Sequence, residues 1–249
     1  MKKVPENNEN PFSFSIGDLM SALLMIFVLL VSVCIIELNK ERSALERQEE
    51  VIEKQKRTIA EHVYKHQRVR SQVIKLVTEN LGEDLEKWDA TFDTTALTIC
   101  FPAQTAFPLG SAQLNEHFRD MLDMFFPKLI NTLAAHVITK DGIDEIRIEG
   151  HASPEGDYYK NMILSQDRAN AVLNYCYPNF KKMTTDMYQL DWVEKKVNSC
   201  GMSSSHPIFK DNVVSEDIQI EEVDTIQSRR VQFKLIPIVD IKAIEHAIE

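Results

Sequence analysis

A lone carboxylate at the head of a long uncharged run has the clearest chemistry in this sequence. Residues 19–36, LMSALLMIFVLLVSVCII, hold no charge, no Gly and no Pro, and Asp18 stands immediately before them. As a helix the run covers about 27 Å, and with residues 16–18 about 31 Å, enough to cross the hydrocarbon core of a bilayer. An ionisable group on a spanning helix is costly and marks an ion pathway by default. At a helix start the same carboxylate also makes a good N-cap, and position alone leaves both roles open. Ser21, one turn on, could hydrogen-bond Asp18, face another helix or simply be tolerated, and is the neighbour of any ion site there.

Other polar clusters offer less. His151, Glu155 and Asp157 share the turn-rich loop GHASPEGD at 150–157, but without HExxH or paired CxxC spacing no metal site is expected. The sequence has no G-x-S-x-G elbow, Walker loop or Gly-rich nucleotide fingerprint, so neither an enzyme nor a cofactor is expected, and a wall hydrolase is a weak third choice. Of the four cysteines, Cys34 lies in the apolar run. Cys100, Cys176 and Cys200 leave a single disulfide, such as Cys176 with Cys200, or free thiols, as alternatives. With 28 Lys and Arg against 38 Asp and Glu, the net charge of −10 argues against nucleic-acid partners.

The elements that must position these residues fall into four segments: a tail at 1–15, a membrane helix at 16–36, a helical stalk at 37–81 and a folded domain at 82–249. No Gly or Pro occurs between Asp18 and Gly82, so nothing there forces a helix to stop. Sixteen of the 34 residues at 37–70 are charged, with Glu50/Lys54, Glu53/Arg57 and Glu61/Lys65 in the favourable i,i+4 order. Leu38, Leu45, Ile52 and Ile59 repeat every seven residues, but Arg42, Glu49 and Lys56 occupy the second seam, so a solvated single helix and a dimeric stalk both fit.

After Gly82 the pattern becomes α+β. Residues 96–101 read as a strand, 114–139 as a helix that Pro127 could kink, 146–149 as a strand, 164–177 as a helix, 192–199 as a strand and 230–236 as a last strand. The order is β-α-β-α-β-β, with 202–225 as an irregular insertion. Charges flank the membrane run on both sides and leave its orientation open.

Asn161, Leu164, Ser165, Arg168, Ala169 and Val172 fit the N-x-x-L-S-x-x-R-A-x-x-V helix of OmpA-like peptidoglycan-binding domains. The segment FPLGSAQL at 107–114, Gly150-His151, the turn at 201–207 and Ser228-Arg229-Arg230-Val231 resemble the family's other landmarks in order, over roughly residues 90–238. At the N-terminus, Pro11-Phe12 followed by IGDLMSALLM at 16–25 resembles the head of MotB-type stator subunits. Within that group it is most similar to the B subunits of Zorya anti-phage systems. An acid at the head of one membrane helix, a helical stalk and an OmpA-like domain make up that whole architecture.

The resemblance implies a single-pass protein of the bacterial inner membrane, N-terminus cytoplasmic and C-terminal domain periplasmic. Two copies would sit in a five-subunit ring of a polytopic MotA/ZorA-like partner, forming a motor for anti-phage defence. There Asp18 would bind and release an ion, and the apolar neighbours Leu19, Ala22 and Leu23 favour a proton over sodium. Arg168 matches the arginine that pairs with a stem-peptide carboxylate of peptidoglycan, with Asn161, Leu164 and Ser165 on the rest of the motif and Tyr159 and Arg230 as rim contacts. The family's T-D pair is Ala152-Ser153 here, so Ser153 is the candidate contact in place of its Asp, and Glu155 or Asp157 could substitute from the same loop. A passive membrane-to-wall anchor, with Asp18 only capping its helix, and a flagellar-type stator are the alternatives.

Overall fold

In the computed structural model, residues 11–210, 214–215, 218–219 and 223–238 are described. The first element, α1 (Pro11–Lys87), is one unbroken helix. The chain divides within α1, between Ala60 and Glu61, into two compact units. In the first unit the 18-residue apolar window has a mean hydropathy of 3.0 and none of it is buried. The stalk charges pair along the helix, with Arg42–Glu46, Arg57–Glu53 and Lys65–Glu61 all at i,i+4 spacing. Ser21 and Ser32 return their hydroxyls to the carbonyls of Gly17 and Val28. Their polar groups are thereby satisfied within the helix, as a low-dielectric surrounding requires.

The second unit holds β1 (Thr91–Asp93), β2 (Thr98–Pro102), α2 (Ala103–Ala106), α3 (Glu116–Ala134), α4 (Val137–Gly142), β3 (Ile143–His151), α5 (Tyr158–Met183), α6 (Met187–Lys196), β4 (Val197–Gly201), β5 (Val214–Ser215), β6 (Ile218–Gln219), α7 (Thr225–Ser228) and β7 (Arg230–Pro237). The five main strands run in the order β1-β2-β7-β3-β4, and β5 with β6 forms a separate hairpin in the expected insertion. β3 and β4 are parallel, and the other neighbours are antiparallel. Ile99 and Phe101, Ile146 and Ile148, and Val231, Phe233 and Leu235 point into the helical core. Phe101, Phe125 and Phe233 pack edge to face there.

The helix runs through Gly82, where the sequence placed the stalk boundary, and ends at Lys87. A helical Gly costs about 1 kcal/mol, but Val73, Val77, Leu81 and Leu85 are all buried in the domain core. Each contributes about 1.5–3 kcal/mol by leaving water, which outweighs that cost. Pro127 lies inside α3 without ending it. Phe125, Phe126, Leu129 and Ile130 on either side of it are buried and hold the helix in place.

Residues 192–196, expected as strand, belong to α6. Asp186 caps that helix by accepting from the N–H groups of Tyr188 and Gln189. Leu190 and Val193 recur at helical spacing in the core, and the Trp192 indole donates to the Lys140 carbonyl at 2.9 Å. The strand begins only at Val197. All four cysteines are free thiols, so the disulfide alternative is not realised.

Two glycines let α5 lie close on the sheet. Gly150 of β3 and Gly201 of β4 are register partners. A Cβ on Gly150 would fall 2.1 Å from the Ser165 carbonyl oxygen, and one on Gly201 would fall 2.5 Å from the Gln166 nitrogen. The helix rests on bare backbone at Ser165 and Gln166, within its motif.

Candidate functional site

α5 positions the motif side chains. Asp157 caps its first turn, accepting from the Lys160 N–H. Asn161, Ser165 and Arg168 then follow at i, i+4 and i+7 on one helix face. Asn161 donates through Nδ2 to the carbonyls of Ser153 and Glu155 at 3.0 and 2.9 Å, pinning the 152–157 loop. Ser165 is fully buried, donates to the Met162 carbonyl and accepts from the Ser203 N–H at 2.9 Å. Ser203 has a φ of 49° and donates its hydroxyl to the Tyr158 carbonyl. The α5 N-terminus, the 152–157 loop and the 201–207 turn are thus locked together by side chains, with Leu164 half-buried beside them.

Arg168 is only 3% exposed. Its Nε donates to the Ser111 carbonyl at 2.9 Å, and its guanidinium carbon lies 5.2 Å from the centre of the Phe107 ring. Among the described residues no carboxylate pairs with it. Burial and the nearby charge of Arg229 both lower its pKa. A buried, uncompensated guanidinium is destabilising unless an anion meets it. The cleft it lines, about 320 Å³, is completed by Gln104, Phe107, Pro108, Leu109, Asn115 and Arg229. Two cations over an apolar floor suit a carboxylate on a small ligand.

The remaining expected residues separate. Ser153 is buried and donates its hydroxyl to Glu155 at 3.2 Å. Tyr159 is 70% exposed and does not line the cleft. Arg230 is buried elsewhere, bonded to Gln232 and to the carbonyls of His206 and Ser228. The second cation of the cleft is its neighbour Arg229, half-buried and 4.0 Å from Glu155. Strand parity carries the signal that distinguishes them. Arg230 shares the parity of Gln232 and Lys234, opposite to Val231 and Phe233, so it must leave the helical side. Phe107, which lies in the family-like segment, was also not singled out in the sequence.

Asp18 occupies the first unit by itself. It lies seven residues beyond the first residue of α1, so it does not cap that helix. Ser21 bonds to Gly17 and not to Asp18. The carboxylate and the surrounding apolar surface of Ile16, Leu19, Met20 and Leu23 are all exposed.

One membrane-length helix continuing into an α+β domain of this topology defines a membrane-anchored protein with an OmpA-type C-terminal domain, and residues 106–217 match the OmpA family. The chain belongs to the ZorB family: it is 32% identical over 245 residues to the Zorya protein ZorB of Escherichia coli (strain Crooks), covering 94% of this chain and 92% of that one. Among solved structures, the cell wall anchor of the type VI secretion system of Pseudomonas aeruginosa is similar at 17% identity and a TM-score of 0.41, over 65% of this chain and 97% of that one. A putative MotB-like protein from Desulfovibrio vulgaris is similar at 19% identity and a TM-score of 0.40, over 71% and 94%.

Proposed function

We propose that this protein is the MotB-like subunit of an ion-driven inner-membrane motor that acts in anti-phage defence and is anchored to peptidoglycan through its C-terminal domain. In this reading the N-terminus is cytoplasmic, the domain is periplasmic, and two copies sit within a five-subunit ring of a polytopic ZorA-like partner. The observation that carries the reading is Asp18, a carboxylate in the third turn of an apolar helix, with no capping duty to explain it.

Inside a partner ring Asp18 would be shielded from bulk water, where the charged form is costly and a bound ion is favoured. Neutral and charged Asp18 then prefer different contacts with the ring, and alternation between them biases rotation. One elementary charge crossing 100 mV supplies about 2.3 kcal/mol, which is the driving energy per ion. Leu19, Ala22 and Leu23 flank the acid in the sequence and Ser21 bonds its own backbone, which leaves few oxygen ligands and supports a proton as the ion. At the other end of the chain, Arg168 would hold the reaction torque by gripping a stem-peptide carboxylate in the cleft it shares with Arg229.

The test is phage plating on cells carrying the native operon with Asp18→Asn, Asp18→Glu or Arg168→Ala, each with expression and membrane assembly verified by blot. Asp18→Asn should abolish protection while assembling normally, because the amide cannot take up and release a proton. Arg168→Ala should assemble but lose binding of free stem peptide. Full protection by Asp18→Asn would leave a passive membrane-to-wall anchor as the function.

A further inference from the structure

The sheet face turned away from the core helices carries a polar array that none of the roles above uses. Thr98, Lys234 and Arg147 form one row across β2, β7 and β3; Cys100, Gln232 and Glu149 form the next; and Arg230 faces His151 in the third. Residues 202–208 and α7 help enclose a cavity of about 680 Å³ over this face, within the range of small-molecule sites.

Glu149 and His151 are each 1% exposed, so the floor of the cavity is buried. Glu149 Oε2 accepts from the Gln232 amide and lies 3.3 Å from His151 Nε2. Its Oε1 has no hydrogen-bond partner among the described residues; the Arg147 guanidinium lies 3.6 Å away, at ion-pair distance. With Nε2 turned to a carboxylate, the Nδ1 of a neutral His151 is an acceptor, and it too has no partner. Two buried acceptors therefore await donors, and leaving them unmet is unfavourable. Among the described lining residues, Asp89, Asp93 and Glu149 nearly balance Arg230 and Lys234, so their charge does not select an ion. Met202, Ile208 and Ile226 supply apolar wall.

We propose that this cavity is a sugar-binding site, in which ring hydroxyls donate to Glu149 Oε1 and His151 Nδ1, accept from Arg230, and lay a C–H face on Ile208 and Ile226. The source of the sugar rests on the wall-anchoring reading: it is the glycan strand of peptidoglycan, held on a different face of the domain from the stem peptide at Arg168.

Binding of tri-N-acetylchitotriose and of peptide-free glycan strands to the full-length protein in lipid nanodiscs is measured by saturation-transfer NMR. Wild type should bind both. Glu149→Gln, which replaces an acceptor by a donor, and Ile226→Trp, which fills the cavity from a half-exposed rim position, should each weaken binding about tenfold. Thermal melting checks that each variant is folded. Arg168→Ala should leave glycan binding unchanged. No binding of either probe by wild type, or undiminished binding by both folded cavity variants, overturns the proposal. Binding of free, sugar-less stem peptide separates the two claims. Wild type that binds this peptide through Arg168 yet ignores bare glycan refutes only the sugar site, whereas Arg168→Ala that still binds the free peptide refutes the stem-peptide anchor.

Discussion

Glu149 and His151 make the domain's stability depend on pH. Burial of Glu149 favours its neutral form, but hydrogen bonds from His151 and Gln232 and the charge of Lys234 prevail, lowering its pKa to about 2. Burial, aided by Arg230, holds His151 below its ordinary value despite the bond to Glu149. In the unfolded chain His151 takes a proton near pH 6.5 that the folded protein resists, so acidification through that value favours unfolding. Glu149 contributes stability that is complete above its ordinary carboxylate range and is lost as the pH falls towards 2. The Tm of wild type should therefore drop between pH 7 and 5. His151→Gln should flatten that interval and keep the steeper loss below pH 4.5, as followed by circular dichroism.

At this scale the sequence was most legible where a side chain's role follows from its type. Arg168 and Asn161 stood out through the resemblance of residues 161–172 to the OmpA-like helix motif. The choice between Arg229 and Arg230 needed the strand register, because a shift of one residue exchanges the two faces of a sheet. Asp18 stood out by its isolation in an apolar run, but its capping alternative could be dismissed only once Asp18 was seen well inside α1.

Among the elements, the contact between α5 and the β3–β4 pair is the least tolerant of change. Gly150→Ala would drive a methyl group into the Ser165 carbonyl, a backbone atom that cannot rotate away. We expect a loss of about 1–3 kcal/mol in urea unfolding, together with loosening of the Ser165–Ser203 bond that shapes the loop. Strands β2, β3 and β7 could be read from alternation, since one face is apolar and the other polar. α6 was misread in part because Trp192, Val193 and Val197 also suit a strand. The Asp186 cap and the burial of Leu190 and Val193 at helical spacing decide for helix. The short β1 carries too few residues for any periodicity to show.

For the whole molecule, the division inside α1 has a practical meaning. The last turns of the helix belong to the domain core, because Val73, Val77 and Leu81 are each 0% exposed. A fragment beginning at Glu61 should therefore be soluble and melt cooperatively. One beginning at Gly82, the boundary the sequence suggests, should melt at a markedly lower temperature or aggregate, as scanning calorimetry would report. Glycine marked a possible stop, but only the tertiary contacts of α1 could show that the helix continues.

On the proposed reading, the guanidinium of Arg168, unpaired among the described residues, would also give the domain a way to register its own attachment. A ligand that binds only the folded form raises its stability by mass action, by about 2.7 kcal/mol at a hundred times the dissociation constant. An anion meeting Arg168 relieves a cost that the unoccupied fold carries. A copy fixed to its ligand would therefore unfold more rarely than a stray one, and proteases that clear unfolded chains would remove the strays first. Mooring and survival of the protein would then be set by the same side chain.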